Sequence, residues 1–92
     1  MAITYDPIKR LATLRDRGMD FHDAIRVFKG PSVHWVDDRF DYGELRVVTA
    51  GWLADRLVIL VWTPRGDARH VISMRKANAR ERARLEKQFG DD

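Results

Sequence analysis

Apolar positions in this chain switch from helical spacing to alternation and back. Near the start, Ile8, Leu11, Ala12 and Leu14 form a stripe at helical spacing, with Lys9, Arg10 and Arg15 on other faces. Asp6-Pro7 has the form of a helix start, an N-cap residue followed by proline at the first helical position. Gly18 offers a C-cap. A second stripe, Phe21, Ala24, Ile25 and Phe28, follows Asp20, with Asp23 three residues on imitating a capping box. Gly30-Pro31 ends it.

From Ser32 the period is two. Val33 to Val36 reads as a short strand, and 37–43 as polar loop. Glu44 to Trp52 is predicted as a strand with Leu45, Val47 and Thr49 on one face and Glu44, Arg46, Val48 and Ala50 on the other. Leu57 to Thr63 is apolar on both faces and is expected at the sheet centre. Pro64-Arg65-Gly66-Asp67 reads as a hairpin turn, and Arg69 to Arg75 as a fourth strand. That strand runs through Val71, Ile72 and Met74 into a basic last helix, capped at Asn78 with Glu81 three residues on. The expected architecture is α+β in one domain over residues 1–92: two N-terminal helices, a four-stranded mostly antiparallel sheet and a C-terminal helix.

Composition narrows the chemistry. A chain of 92 residues has room for one modest core. The absence of Cys excludes thiolate metal sites and thiol nucleophiles, and it suits a reducing cytoplasm. No apolar run approaches membrane-spanning length, and the N-terminus lacks a signal-like apolar core, so no membrane association is expected. The net charge is +3, and its excess lies in the last third: eight Lys/Arg against three acids between Pro64 and Gly90. Arg outnumbers Lys thirteen to four, and guanidinium groups suit bidentate phosphate contact. A polyanion or an acidic protein is the expected partner class, and a solvated basic helix is the plainer alternative.

Several motifs in order resemble the BrnT family of toxins from type II toxin–antitoxin systems. They are Tyr5-Asp6-Pro7 with Lys9, Gly18 with Phe21, Ala24 to Phe28, Asp38, Tyr42-Gly43-Glu44 with Arg46, Thr63-Pro64-Arg65-Gly66, and Val71-Ile72-Ser73-Met74-Arg75-Lys76-Ala77 with Glu81. They span nearly the whole chain. The resemblance implies a RelE-like fold and a ribonuclease that arrests translation. It also implies neutralisation by a BrnA-type antitoxin with a ribbon-helix-helix domain, and operator DNA bound only through that antitoxin. The family usually has Asn and then Lys-His ahead of the glycine; Thr13, Asp16 and Arg17 stand there in this chain.

Metal-independent RNA cleavage needs a base for the 2′-hydroxyl proton, cations for the phosphorane charge and an acid for the 5′-oxygen. Arg75 heads the candidates for phosphate binding, helped by Lys76; by strand alternation it shares a face with Arg69, Val71 and Ser73. An edge-strand ion pair is the alternative. Glu44 is a candidate base positioned by Arg46, or the two form a cross-strand salt bridge. Arg65 in its turn, Arg69 on its strand and Lys9 on the first helix are candidate RNA contacts, or plain exposed cations. His70 is a candidate acid that titrates near neutrality, or an ordinary strand histidine. His34 reads as an edge residue of the short first strand, and His22 as an exposed residue in the first turn of a helix. The three histidines lack metal-site spacing, so no metal and no cofactor are expected. Trp62 reads as core. Trp35 and Trp52 suit base stacking or an apolar antitoxin patch, with burial under the N-terminal helices the plainer reading for Trp52.

Overall fold

The computed structural model describes residues 1–90. In chain order it has β1 (Ala2–Tyr5), α1 (Pro7–Arg17), a 3-10 turn (Phe21–Asp23), α2 (Ala24–Lys29), β2 (Ser32–Val36), β3 (Val47–Leu53), β4 (Arg56–Arg65), β5 (Ala68–Lys76) and α3 (Ala79–Gly90). The sheet has five strands in the order β1-β5-β4-β3-β2. The pairs β2–β3, β3–β4 and β4–β5 are antiparallel, and β1 lies parallel to β5.

This corrects the expected four-stranded, mostly antiparallel sheet behind two leading helices. The chain begins with a strand, and the sheet is mixed. Four residues are too few to display alternation, and the partner of β1 lies at the far end of the sequence, with Ala2 opposite Ala68. The second predicted helix is also shorter: Phe21–Asp23 is a 3-10 turn and only Ala24–Lys29 is α-helical. Strand β3 starts at Val47, so Glu44 and Arg46 sit in a loop and not on a strand face.

Local capping follows the sequence closely. Asp6 accepts from Ile8 N at 2.9 Å, and Gly18 closes α1 in the left-handed region at φ 67°. Asn78 and Glu81 make a reciprocal capping box: Glu81 N donates to Asn78 Oδ1 at 2.8 Å and Asn78 N to Glu81 Oε1 at 3.0 Å. Asp23 makes no such side-chain bond to the turn that begins at Asp20.

Both sheet faces are covered, by different elements. On one, Met19, Phe21, Ala24, Val27 and Phe28 pack on Val58, Leu60, Trp62, Val71 and Met74. On the other, Leu85 and Phe89 of α3 close over Ala50, Leu57 and Ile59. Strand β4 is therefore buried on both sides, as its unbroken apolar run predicts. Helix α2 approaches β3 closely: a Cβ on Gly51 would stand 2.8 Å from Val27 Cγ1, so a larger residue would push the helix off the sheet.

A bulge in β5 decides where its charges point. Val61 pairs with Ser73 and Trp62 with Val71, leaving Ile72 as the extra residue. Simple alternation fails across it. Val71 and Met74 both enter the α2-side core, Arg69 stacks on that side, and Arg75 turns to the α3 side. The expected shared face of Arg69 and Arg75 is thereby corrected.

Helix α1 has no buried residue. Its bonds to the body are polar, Arg10 to Asp20 at 2.7 Å and Arg17 Nη1 to the Met74 carbonyl at 3.0 Å, with Ala12 and Thr13 half-buried between them. Its apolar stripe faces out, with Ile8, Leu11 and Leu14 exposed by 78%, 64% and 42%. A core position would have been worth roughly 1.5–3 kcal/mol for each such side chain.

Candidate functional site

The α3-side face of the sheet continues past the helix that covers it. At its open end one row of residues crosses three strands: Thr63 of β4, His70 of β5 and Thr4 of β1, paired in register. Thr63 is buried and His70 half-buried. Thr4 Oγ1 lies 2.8 Å from His70 Nδ1. That bond fixes the imidazole ring and leaves Nε2 for other work.

Charges from three further parts of the chain act on His70. Burial lowers its pKa most, and the cations Arg65 and Lys9 push the same way; Glu44 and Asp6 oppose them. The net direction is down, so the imidazole is neutral at pH 7. A neutral, oriented imidazole between cations can accept a proton from a substrate whose anion those cations hold.

Glu44 links this cluster to a second one. Its carboxylate stands 3.5 Å from Arg46 Nε, an ion-pair distance without hydrogen-bond geometry. Among the described residues, Arg46 Nε is buried with no hydrogen-bond partner. The Arg46 guanidinium lies over the Tyr42 ring, 3.9 Å from its centroid. Tyr42 donates from its hydroxyl to Asp37 Oδ2 at 3.2 Å, and Arg39 grips the same carboxylate at 2.8 and 3.0 Å. Those bonds hold Asp37, which is buried, down at a pKa of about 2, Arg39 contributing most. Asp37 N also donates to Arg46 O at 2.8 Å, closing the loop 37–46 at its neck. The loop is thus a frame that fixes Arg46.

Arg75 stands elsewhere on the same face. It pairs with Ile59, four residues before Thr63 along β4, which is roughly 13 Å of strand. Its guanidinium makes a fork to Glu81 at 2.7 and 2.8 Å. The pairing holds Glu81 down at about 2 and raises Arg75. At this end a groove of about 400 Å³ is lined by Trp35, Arg39, Val61, Arg75 and Arg84 among others.

The eight candidate residues therefore separate. Glu44, Arg65 and Lys9 act electrostatically on His70, and Arg46 joins them through Glu44. Arg75 belongs to a capped ion pair. Lys76 lies at the other end of β5, beside Asp55, Arg56 and Arg82. Arg69 is on the opposite face, sandwiched 4.6 Å from both the Phe28 and Trp62 rings. Trp62 is core and donates to Thr49 at 2.8 Å. Trp52 packs on Phe89 and Arg82 of α3, not under the N-terminal helices. His34 bonds Thr49 at 2.7 Å. Among the described residues no group of three His, Cys, Asp or Glu is placed to hold a metal ion.

Sequence reasoning missed Thr4, Asp37, Arg39 and Tyr42 as positioning groups. Thr4 carried no signal, because β1 itself was missed. The others lay in what read as polar loop, although two acids and an Arg beside an aromatic residue hint at a side-chain frame.

A family model described as a ribonuclease toxin, BrnT, of type II toxin-antitoxin system matches residues 5–81. The match takes in β1 at Tyr5, the loop frame, His70 and the Arg75–Glu81 pair. No curated protein matches the chain.

Proposed function

The chain belongs to the BrnT family of ribonuclease toxins of type II toxin–antitoxin systems, and we propose that it cleaves RNA without a metal ion at the His70 cluster. His70 Nε2 takes the proton from a ribose 2′-hydroxyl. The 2′-oxygen attacks the adjacent phosphorus, and Arg65 with Arg46 balances the charge that grows on the phosphoryl oxygens. Lys9 gives a proton to the departing 5′-oxygen. The products are a 2′,3′-cyclic phosphate and a 5′-hydroxyl. Glu44 holds Arg46 and keeps the imidazole basic. Trp35 borders the groove and can stack an unpaired base. The observation that carries this reading is the half-buried His70 imidazole, held through Nδ1 by Thr4 at 2.8 Å, with charges of α1, the 37–46 loop and the end of β4 acting on it.

The finer biology follows the family. A type II system includes an antitoxin. We take this one to be a BrnA-like ribbon-helix-helix protein that alone brings the toxin to operator DNA, and we take RNA cleavage to arrest translation in the cytoplasm. Among the described residues no helix is long and apolar enough to cross a membrane.

One observation favours a second reading. Arg17, where the family usually has His, is engaged with the Met74 carbonyl and moves no proton. A chain so altered would bind RNA without cutting it. The deciding experiment incubates the purified protein with end-labelled single-stranded RNA in EDTA, beside His70→Gln. Cleavage by the wild type alone, with equal RNA affinity in both, supports the catalytic reading. Bound but intact RNA with the wild type establishes the second.

A further inference from the structure

We infer that the outward face of α1 is the docking surface for the antitoxin, and that the antitoxin seats an acidic amphipathic helix on it. The inference rests on the family's having a protein antitoxin, and it stands whether or not His70 is the base.

The first ground is the inverted polarity of α1. Its inner side is Arg10, Thr13 and Arg17, spaced as one helical face, and its bonds to the body are polar. Ile8, Leu11 and Leu14 face solvent. They lie three residues apart on adjacent turns, the spacing by which an amphipathic helix is gripped. The helix needs no partner to form, since Asp6 caps its start and Gly18 its end. Three large apolar side chains on a preformed helix make a ready contact surface.

The second ground is charge. The helix carries Lys9, Arg10, Arg15 and Arg17 against Asp16 alone. Arg15 falls within the apolar stripe, one turn past Leu11, and its bond to Asp16 is between two exposed groups. Two copies of this helix packed face to face would set cation against cation. An acidic helix meets both the stripe and its charge.

The third ground is position. Lys9 lies on this helix and Asp6 caps it, and both act on His70. A helix seated on Ile8 and Leu11 would stand next to Lys9 and shut substrate away from it. Docking and neutralisation become one event.

The test uses the full chain and the purified antitoxin of its own operon. In Ile8→Glu/Leu11→Glu, affinity should fall at least a hundredfold, with the wild-type thermal midpoint kept because both positions are exposed. Ile8→Ser/Leu11→Ser should lose less, and Arg15→Glu should weaken binding most at low salt. RNA cleavage, if the wild type shows it, should persist in the double variants and escape the antitoxin. A wild type that cuts no RNA but loses the antitoxin on Ile8→Glu/Leu11→Glu removes the catalytic reading and keeps this one. Undiminished antitoxin affinity in the folded double variants overturns it. So does a wild-type dimer, seen by sedimentation, that the substitutions dissociate while antitoxin affinity stays the same.

Discussion

The two ends of β5 carry similar charges in opposite conditions. At one end His70 is met by Lys9, Glu44 and Arg65, each brought by a different element. At the other, Arg75 is held in a closed ring with Glu81 and Asn78. The open end has charge that a ligand can use. The closed end has charge already satisfied, and it fastens α3 to the sheet. A phosphate that took Arg75 would have to displace a two-bond carboxylate fork that also caps a helix. The count of cations on a strand therefore says little about binding; the carboxylate within reach decides.

Two substitutions should sharpen that contrast. Arg46→Ala removes the cation next to the open end. We expect kcat to fall about 10²–10³-fold, as for loss of one transition-state charge donor, with a thermal midpoint near wild type. Glu81→Ala acts at the closed end. It removes a cap and leaves Arg75 without its partner, at a cost of about 1–3 kcal/mol in chemical unfolding. Cleavage measured below the unfolding transition should change less than tenfold. A large loss of kcat in Glu81→Ala with intact fold would break the division and return Arg75 to the reaction.

The contrast was only half legible in the sequence. Caps at Asp6, Gly18 and Asn78 were readable because they depend on neighbours a few residues away. So was the buried centre at Leu57 to Thr63, through its unbroken apolar run. The parallel strand Ala2–Tyr5 was not, since its partner among the described residues is some 66 residues on. The bulge at Ile72 was not either. It inverts a face without any Gly or Pro to announce it, and it alone separates Arg69 from Arg75. The site followed the same rule. Single residues such as His70, Glu44 and Lys9 could be named, but their convergence depends on long-range pairing. The apolar stripe of α1 is legible in the spacing but its direction is not, because periodicity shows that a helix has two faces and not which one turns inward.

The smallest expected effect is also the finest division between the two ends, and it lies in pH. His70 has its pKa lowered below the ordinary 6.5, chiefly by burial and then by Arg65. As the base it must be neutral, so kcat/KM should fall on the acid side with a midpoint below 6.5. Arg65→Met removes a cation that favours the neutral form and should move that midpoint up. Glu44→Gln removes an anion that favours the charged form and should move it down. Protonating His70 also costs stability, because the folded protein binds that proton less readily than the unfolded chain. That loss begins as pH falls through the unfolded value, and one half-buried histidine makes it small. Glu81 behaves differently: its pKa is depressed from 4.5 to about 2, so its contribution is present above 4.5 and is lost only as pH falls towards 2. Asp37 and Asp20, both held at about 2 by arginine, add to the same acid limb. Activity should thus decay at a pH where the fold still holds, and paired profiles of cleavage rate and unfolding free energy would display the gap. If the two decline together, with the Arg65→Met profile superimposed on wild type, the base is not His70 and the open end of β5 is no more a reaction centre than the closed one.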